Sequence, residues 1–144
     1  MKSIKKKIIL GIIFICVIFI CLWINKNARL KSFEKEVSRI EIPQNIEKIA
    51  MKSGIGDSGG NGDYSTYRVV LVVKTDMSIE DLKKEYDNKE MTFLTHKSNS
   101  GLPYVYITKF ENNVFKSDRN FKVIFDDLEK TEDYSDYYYI EFIK

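Results

Sequence analysis

The chain has 144 residues, with 23 basic and 21 acidic side chains and a formal net charge of +2. This length leaves room for a single domain once a membrane anchor is set aside. Four of the basic residues fall in the first seven positions and all 21 acidic residues follow Ile24, so the remainder of the chain carries a net charge of −2. A domain of that charge lacks the basic surface of nucleic-acid-binding proteins, so we expect no nucleic-acid partner.

Residues 8–24 form an apolar run that only Gly11 interrupts. A helix of this length reaches about 25 Å, the short end of what crosses a bilayer. Trp23 stands where an interfacial aromatic anchor is expected. We therefore predict a basic tail over 1–7 and a transmembrane helix over 8–24, with the lipid bilayer as a partner. Because no signal-peptidase or lipoprotein pattern follows, this signal-anchor helix is expected to stay, with Cys16 and Cys21 as apolar residues inside it.

Orientation follows from the basic residues that flank the span. Four precede it on a very short tail, and Lys26, Arg29, Lys31, Lys35 and Arg39 follow it. These counts are nearly balanced, but three consecutive lysines abut the apolar run. They favour a single-pass protein of the cell membrane with a cytoplasmic N-terminus and an extracellular C-terminal domain.

After the span, the pattern of apolar residues predicts a small α+β domain. Residues 25–44 have helical spacing and predict an amphipathic stalk or first helix that Pro43 stops, and residues 45–144 form the globular domain. Ser78 is expected to cap a second helix. Four or five strands with two helices, not in strict alternation, predict a mainly antiparallel sheet. The strands are expected over 45–53, 67–75, 104–110, about 121–125 and 137–143, the second of them buried on both faces.

Five of the seven glycines lie between Gly54 and Asp63, which predicts a loop. One interpretation is a long hairpin connection, since Asn61-Gly62 suits a left-handed turn. The other is a binding loop whose free N–H groups form a nest for a carboxylate or phosphate. The candidate ligand-binding residues are Gly56, Asp57, Ser58, Gly59, Gly60, Asn61 and Asp63.

Two local motifs in this segment do not predict catalysis or a cofactor. The GDSGG sequence of 56–60 matches the nucleophile pentapeptide of chymotrypsin-like proteases, but the sole histidine, His96, follows Ser58, whereas it precedes the serine in that family. The glycines at 54, 56 and 59 fit a dinucleotide fingerprint, yet no helix is expected to follow them and hold a pyrophosphate. We therefore predict no catalytic residues and no cofactor, and the chain is more consistent with a non-enzymatic protein.

Two groups of oxygen-bearing side chains could in principle hold calcium. The first is Asp57, Asn61 and Asp63, whose spacing departs from an EF-hand, which wants an acid where Gly59 stands. The second is an acidic cluster, for which a solvated connection before the last strand is the simpler interpretation. Its members are Asp126, Asp127, Glu129, Glu132, Asp133 and Asp136. Such ligand sets have many false positives, so no metal site is predicted.

Residues 46–50 (IEKIA), the SGIGDSGGNG segment of 53–62 and the YYIEF segment that begins at Tyr138 carry a family resemblance. Together they make the chain resemble a group of uncharacterised small single-span membrane proteins of low-GC Gram-positive bacteria. The resemblance covers most of the chain beyond the anchor. It implies the topology and a bacterial origin, and it carries over no functional residue.

Together these patterns predict a membrane-anchored, envelope-facing binding or accessory module that contacts another envelope or membrane protein. One alternative is a subunit of a membrane complex whose transmembrane helix is itself the interface. A less favoured one is an envelope hydrolase that uses acids near Asp57 or Asp126.

Overall fold

A computed structural model describes residues 2–57, 65–87, 104–117, 121–128 and 133–144. Its elements are helices α1 (Lys2–Ser38) and α2 (Ile79–Asp87), strands β1 (Glu47–Asp57), β2 (Ser65–Lys74), β3 (Tyr104–Lys109), β4 (Val114–Lys116), β5 (Lys122–Ile124) and β6 (Tyr137–Ile143), and a 3₁₀ turn, Asp126–Leu128. The predicted α+β class with a mainly antiparallel sheet is confirmed.

Helix α1 has two dissimilar parts without a break between them. Its large apolar side chains from Ile8 to Ile24 are all exposed, from 43% for Ile18 to 71% for Leu10. Farther along, Phe33 and Val37 are only 1% exposed because they pack into the domain core. By length and composition, the helix includes one candidate membrane span near the N-terminus. The segment predicted as a stalk or first helix continues that span and ends at Ser38, five residues before Pro43.

Four strands form one sheet in the order β1-β2-β6-β3, and every neighbouring pair is antiparallel. Strand β2 is central, and its residues 69–73 are all buried, as predicted for a strand covered on both faces. Strand β6 lies beside it, with Leu71 opposite Ile140. Because side chains alternate along each strand, Ile140 and Phe142 point to one face while Tyr139 and Glu141 point to the other.

Two helices cover the first face of the sheet, called here the helix face. The buried end of α1 contributes Phe33 and Val37, and α2 contributes Leu82 and Tyr86. The predicted cap is confirmed, since the Asp81 N–H donates to Ser78 Oγ at 3.1 Å. The helix face is therefore a compact apolar layer.

A two-stranded hairpin, β4–β5, covers the other face, called here the hairpin face. Aromatic side chains fill the space beneath it, and Tyr139 of β6 lies at their centre. Its ring lies 4.6 Å from Phe110, 4.9 Å from Phe115 and 5.9 Å from Phe125, measured between centroids. Such contacts bury large apolar areas and are favourable at these separations. The sequence predicted the strand around residues 121–125, but it did not predict β4, whose three residues are too few to show a period.

Candidate functional site

A groove lies on the hairpin face, between strand β3 and the β4–β5 hairpin. Its volume is about 920 Å³, which lies in the range of protein ligand sites. The groove is lined by Arg68, Tyr106, Thr108, Lys109, Glu111, Asn112, Asn113, Val114, Phe115, Lys116, Ser117, Lys122, Tyr139, Glu141 and Ile143.

The groove exists because the hairpin is too short to cover the whole face. Phe115, Phe121 and Val123 pack with Val70 and Val72 of the central strand. Strand β3, at the edge of the sheet, lies beyond the reach of that cover, so Tyr106 stays 54% exposed. The result is an open trough with β3 and β6 as its floor and the hairpin as one wall.

A buried ion pair forms part of the floor. Arg68 Nη1 lies 2.7 Å from Glu141 Oε1, and the two side chains are 8% and 4% exposed. The same guanidinium donates to the Ser117 hydroxyl, which in turn donates to Glu141 Oε2 at 3.1 Å. Arg68 also lies over the Phe121 ring, at 5.4 Å from its centroid. The network thus joins β2, β6 and the hairpin through groups that are mutually satisfied.

This network makes Glu141 unsuited to proton transfer. Both of its carboxylate oxygens accept hydrogen bonds, one from Arg68 and the other from the Ser117 hydroxyl. A general acid or base needs a reactive proton position that a substrate can reach. We conclude that Arg68, Glu141 and Ser117 fix the shape of the groove instead.

Tyr139, in the floor of the groove, holds one border of the groove in place. Its hydroxyl donates to the Asn112 carbonyl, which holds the turn between β3 and β4 against the floor. Burial raises the pKa of Tyr139 above its usual value, with the neighbouring Tyr134 as a smaller cause. The phenol therefore stays protonated and donating at neutral pH.

The rim of the groove is basic. Lys109, Lys116 and Lys122 are exposed, and within the described residues none of the three is paired with a carboxylate. Glu111 is the acidic residue on the rim, while Glu141 below is neutralised by Arg68. The groove can therefore attract anionic groups, although the chain beyond the span is slightly acidic as a whole.

The structure corrects the prediction that the glycine-rich segment begins as a loop at Gly54. Strand β1 continues to Asp57, so the loop prediction is wrong for residues 54–57. A Cβ at Gly54 would lie 2.6 Å from the Phe121 ring, and one at Gly56 would lie 2.8 Å from Arg68 Nε. These two glycines thus leave room on an edge strand for groups that close the hairpin face.

Of the predicted ligand-binding residues, Gly56 and Asp57 end strand β1. Ser58, Gly59, Gly60, Asn61 and Asp63 lie outside the described residues, as does His96. Whether this segment binds a ligand therefore stays a prediction.

The second acidic cluster is dispersed where the structure describes it. Asp126 pairs with Lys52 at 3.1 Å, and Asp133 accepts from the Ser135 N–H at 2.9 Å. Glu129 and Glu132 lie outside the described residues. No group of three or more His, Cys, Asp or Glu side chains arranged for a metal ion occurs in the part of the chain that is described.

Sequence reasoning did not single out the residues of the groove. Arg68 flanks the apolar run of the central strand, and its partner Glu141 lies 73 positions away. One signal was available in β6, because Glu141 interrupts an otherwise apolar and aromatic strand. A charged residue in such a strand requires either a buried partner or a position on an exposed face.

Comparisons with protein-family models, curated proteins and solved structures give no match.

Proposed function

We propose that this chain is a membrane-anchored, non-enzymatic binding module of the bacterial envelope that docks another envelope or membrane protein in the groove. Its satisfied ion pair, its open trough and a basic rim that has no paired carboxylate among the described residues suit recognition better than catalysis. The resemblance to small single-span proteins of low-GC Gram-positive bacteria supports the bacterial setting.

The observation that carries the proposal is the continuity of α1. Phe33 and Val37 belong to the domain core, yet they lie on the same helix as the exposed apolar run that ends at Ile24. Phe33 lies nine positions after Ile24, which is about 13 Å along the helix. A domain joined in this way would be held close to the bilayer in a fixed orientation, without a flexible linker.

We further propose that the N-terminus is cytoplasmic and the domain extracellular. The three consecutive lysines that abut the span support this orientation. The two cysteines lie within the apolar run, so a cysteine placed in the domain can be labelled selectively after both are replaced by alanine.

The anchoring and orientation are tested with Lys84→Cys in this cysteine-free background, since the Lys84 side chain is 72% exposed. We expect the protein to resist extraction by alkaline carbonate and to react with a membrane-impermeant maleimide on intact cells. Extraction into the soluble fraction would contradict the anchor. Labelling only after lysis would contradict the orientation.

Docking in the groove is tested by a photocrosslinking amino acid at Tyr106, with the same residue at Lys84 on α2 as a control. We expect crosslinks to a membrane or envelope protein from Tyr106 and not from Lys84. Replacing residues 8–24 by an unrelated apolar helix should leave them unchanged. Their loss in that chimera would favour a complex that uses the span as its interface.

A further inference from the structure

Two lysines on the β4–β5 hairpin lie directly opposite each other. Lys116 pairs with Lys122 in the antiparallel register, and both side chains are exposed on the same side of the hairpin. Like charges in such a cross-strand pair are destabilising because their Cβ atoms lie only about 5 Å apart. Among the described residues, no carboxylate is paired with either lysine. One of the three residue pairs in the β4–β5 ladder thus places two positive charges together. A neutral residue at either position would remove this repulsion.

A third lysine, Lys109, also lines the groove. Lys109 ends strand β3, and Thr108 and Asn112 offer hydrogen-bonding groups between the two walls. The charge of Arg68 below is already satisfied by Glu141, so among the described residues the lysines supply the remaining positive charge of the lining. An anionic chain lying along the groove would relieve the repulsion between Lys116 and Lys122.

We infer that the groove binds an extended acidic segment of the partner protein, with carboxylates seated at Lys116 and Lys122. This inference rests on the proposed function and names the chemistry of the docking segment. An extended polypeptide fits because the groove is an open trough between β3 and the hairpin. Carboxylates then supply the charge that the rim requires.

The inference is tested by fluorescence anisotropy with full-length protein in non-ionic detergent. The probe is fluorescein-labelled hexaglutamate, and hexaglutamine is its neutral control. The variant Lys116→Gln/Lys122→Gln is compared with Lys48→Gln/Lys83→Gln, which removes the same charge away from the groove. We expect hexaglutamate to bind and hexaglutamine not to bind. The groove variant should weaken binding about tenfold, as expected for two exposed charge pairs, and the control variant should leave it unchanged.

A second variant separates binding from folding. Lys122→Glu places opposite charges across the hairpin, so it should raise Tm by about 2–4 °C. The same variant should abolish hexaglutamate binding. A weaker interaction in a more stable protein cannot be attributed to unfolding.

Three results would overturn the inference: no hexaglutamate binding, equal weakening by the groove and control variants, or tighter binding of tripolyphosphate than of hexaglutamate. The third result would assign the lysine pair to phosphate groups. If Tyr106 still crosslinks to a membrane protein in cells, the proposed docking stands, and only the acidic character of the docked segment is refuted. If Tyr106 gives no crosslink, the proposed function fails as well.

Discussion

The two faces of the central sheet are built from the same strands but closed by different means. The helix face is covered by α1 and α2, which bury apolar residues such as Phe33 and Leu82. The hairpin face is closed by three-residue strands, an aromatic cluster and the buried pair of Arg68 and Glu141. One face is a sealed core, whereas the other leaves an open groove.

This difference indicates how the sheet divides its roles. Burying a charged pair seldom stabilises a protein relative to apolar residues of the same volume, but it fixes which groups must meet. On the hairpin face, that requirement sets the position of the hairpin through Ser117. The helix face supplies stability and includes the end of the helix that carries the candidate membrane span, and the hairpin face supplies a shaped surface.

The largest effect is expected from breaking the ion pair. Glu141→Gln leaves the Arg68 guanidinium buried without its counter-charge, which should lower the free energy of unfolding by about 3–5 kcal/mol. Ile140→Val, the neighbouring residue on the helix face, should cost only about 0.5–1.5 kcal/mol. Denaturant unfolding followed by near-ultraviolet circular dichroism measures both. Equal losses of unfolding free energy in the two variants would contradict the claim that a buried ion pair closes one face and apolar packing closes the other.

A smaller effect is expected from filling the space above β1. Gly54→Ala brings a Cβ to 2.6 Å from the Phe121 ring, and the overpacking should cost about 1–3 kcal/mol. The matched control is Gly11→Ala, because nothing lies within 4 Å of a Cβ at Gly11. Thermal unfolding should show a lower Tm for the first variant only. An unchanged Tm for Gly54→Ala would contradict the close approach of Phe121.

The same substitution on the two faces should act with opposite sign. Tyr139→Phe removes the donor to the Asn112 carbonyl on the hairpin face and should cost about 0.5–1.5 kcal/mol. Tyr86 lies on the helix face, and within the described residues its buried hydroxyl has no hydrogen-bond partner. Tyr86→Phe should therefore be neutral or stabilising by up to about 1 kcal/mol. Denaturant midpoints compare the two, and a large loss for Tyr86→Phe would reveal a partner for that hydroxyl.

Alkaline pH should act on the helix face through Tyr86. Burial raises its pKa from 10.0 to about 12, and the nearby charge of Glu85 adds to the rise. The folded state therefore favours the neutral phenol, and the resulting stability is complete below pH 10 and is lost as the pH rises through 12. In Tyr86→Phe this part of the alkaline loss should disappear, as judged by unfolding curves between pH 9 and 12. An identical pH profile would contradict the assignment.

Local patterns predicted much of the fold. The apolar run of residues 69–73 predicted a strand buried on both faces. The alternation in 137–143 indicates a shared side for Tyr138, Ile140 and Phe142, and the structure places all three on the helix face. The loop prediction was wrong at the start of the glycine-rich segment, because glycine favours a turn when only the local sequence is considered. In the structure, Gly54 instead makes room for Phe121, which is 67 positions away.

The groove could not be predicted in the same way. It arises where a short hairpin stops covering a sheet, and neither the length of β4 nor the partner of Glu141 has a local signature. The cross-strand pair of Lys116 and Lys122 requires the hairpin register, which is set by contacts beneath it.

The most direct test of the binding role of the hairpin face is the reactivity of its lysines in the native membrane. Acetylation of Lys116 and Lys122 is measured by mass spectrometry in membranes from cells and in the purified full-length protein, with exposed Lys84 as the reference. The account predicts that both groove lysines react about fivefold more slowly in native membranes, as expected if a bound partner excludes solvent there, while Lys84 reacts equally. Equal reactivity of all three lysines in the two samples would show that the groove is unoccupied and would contradict the account.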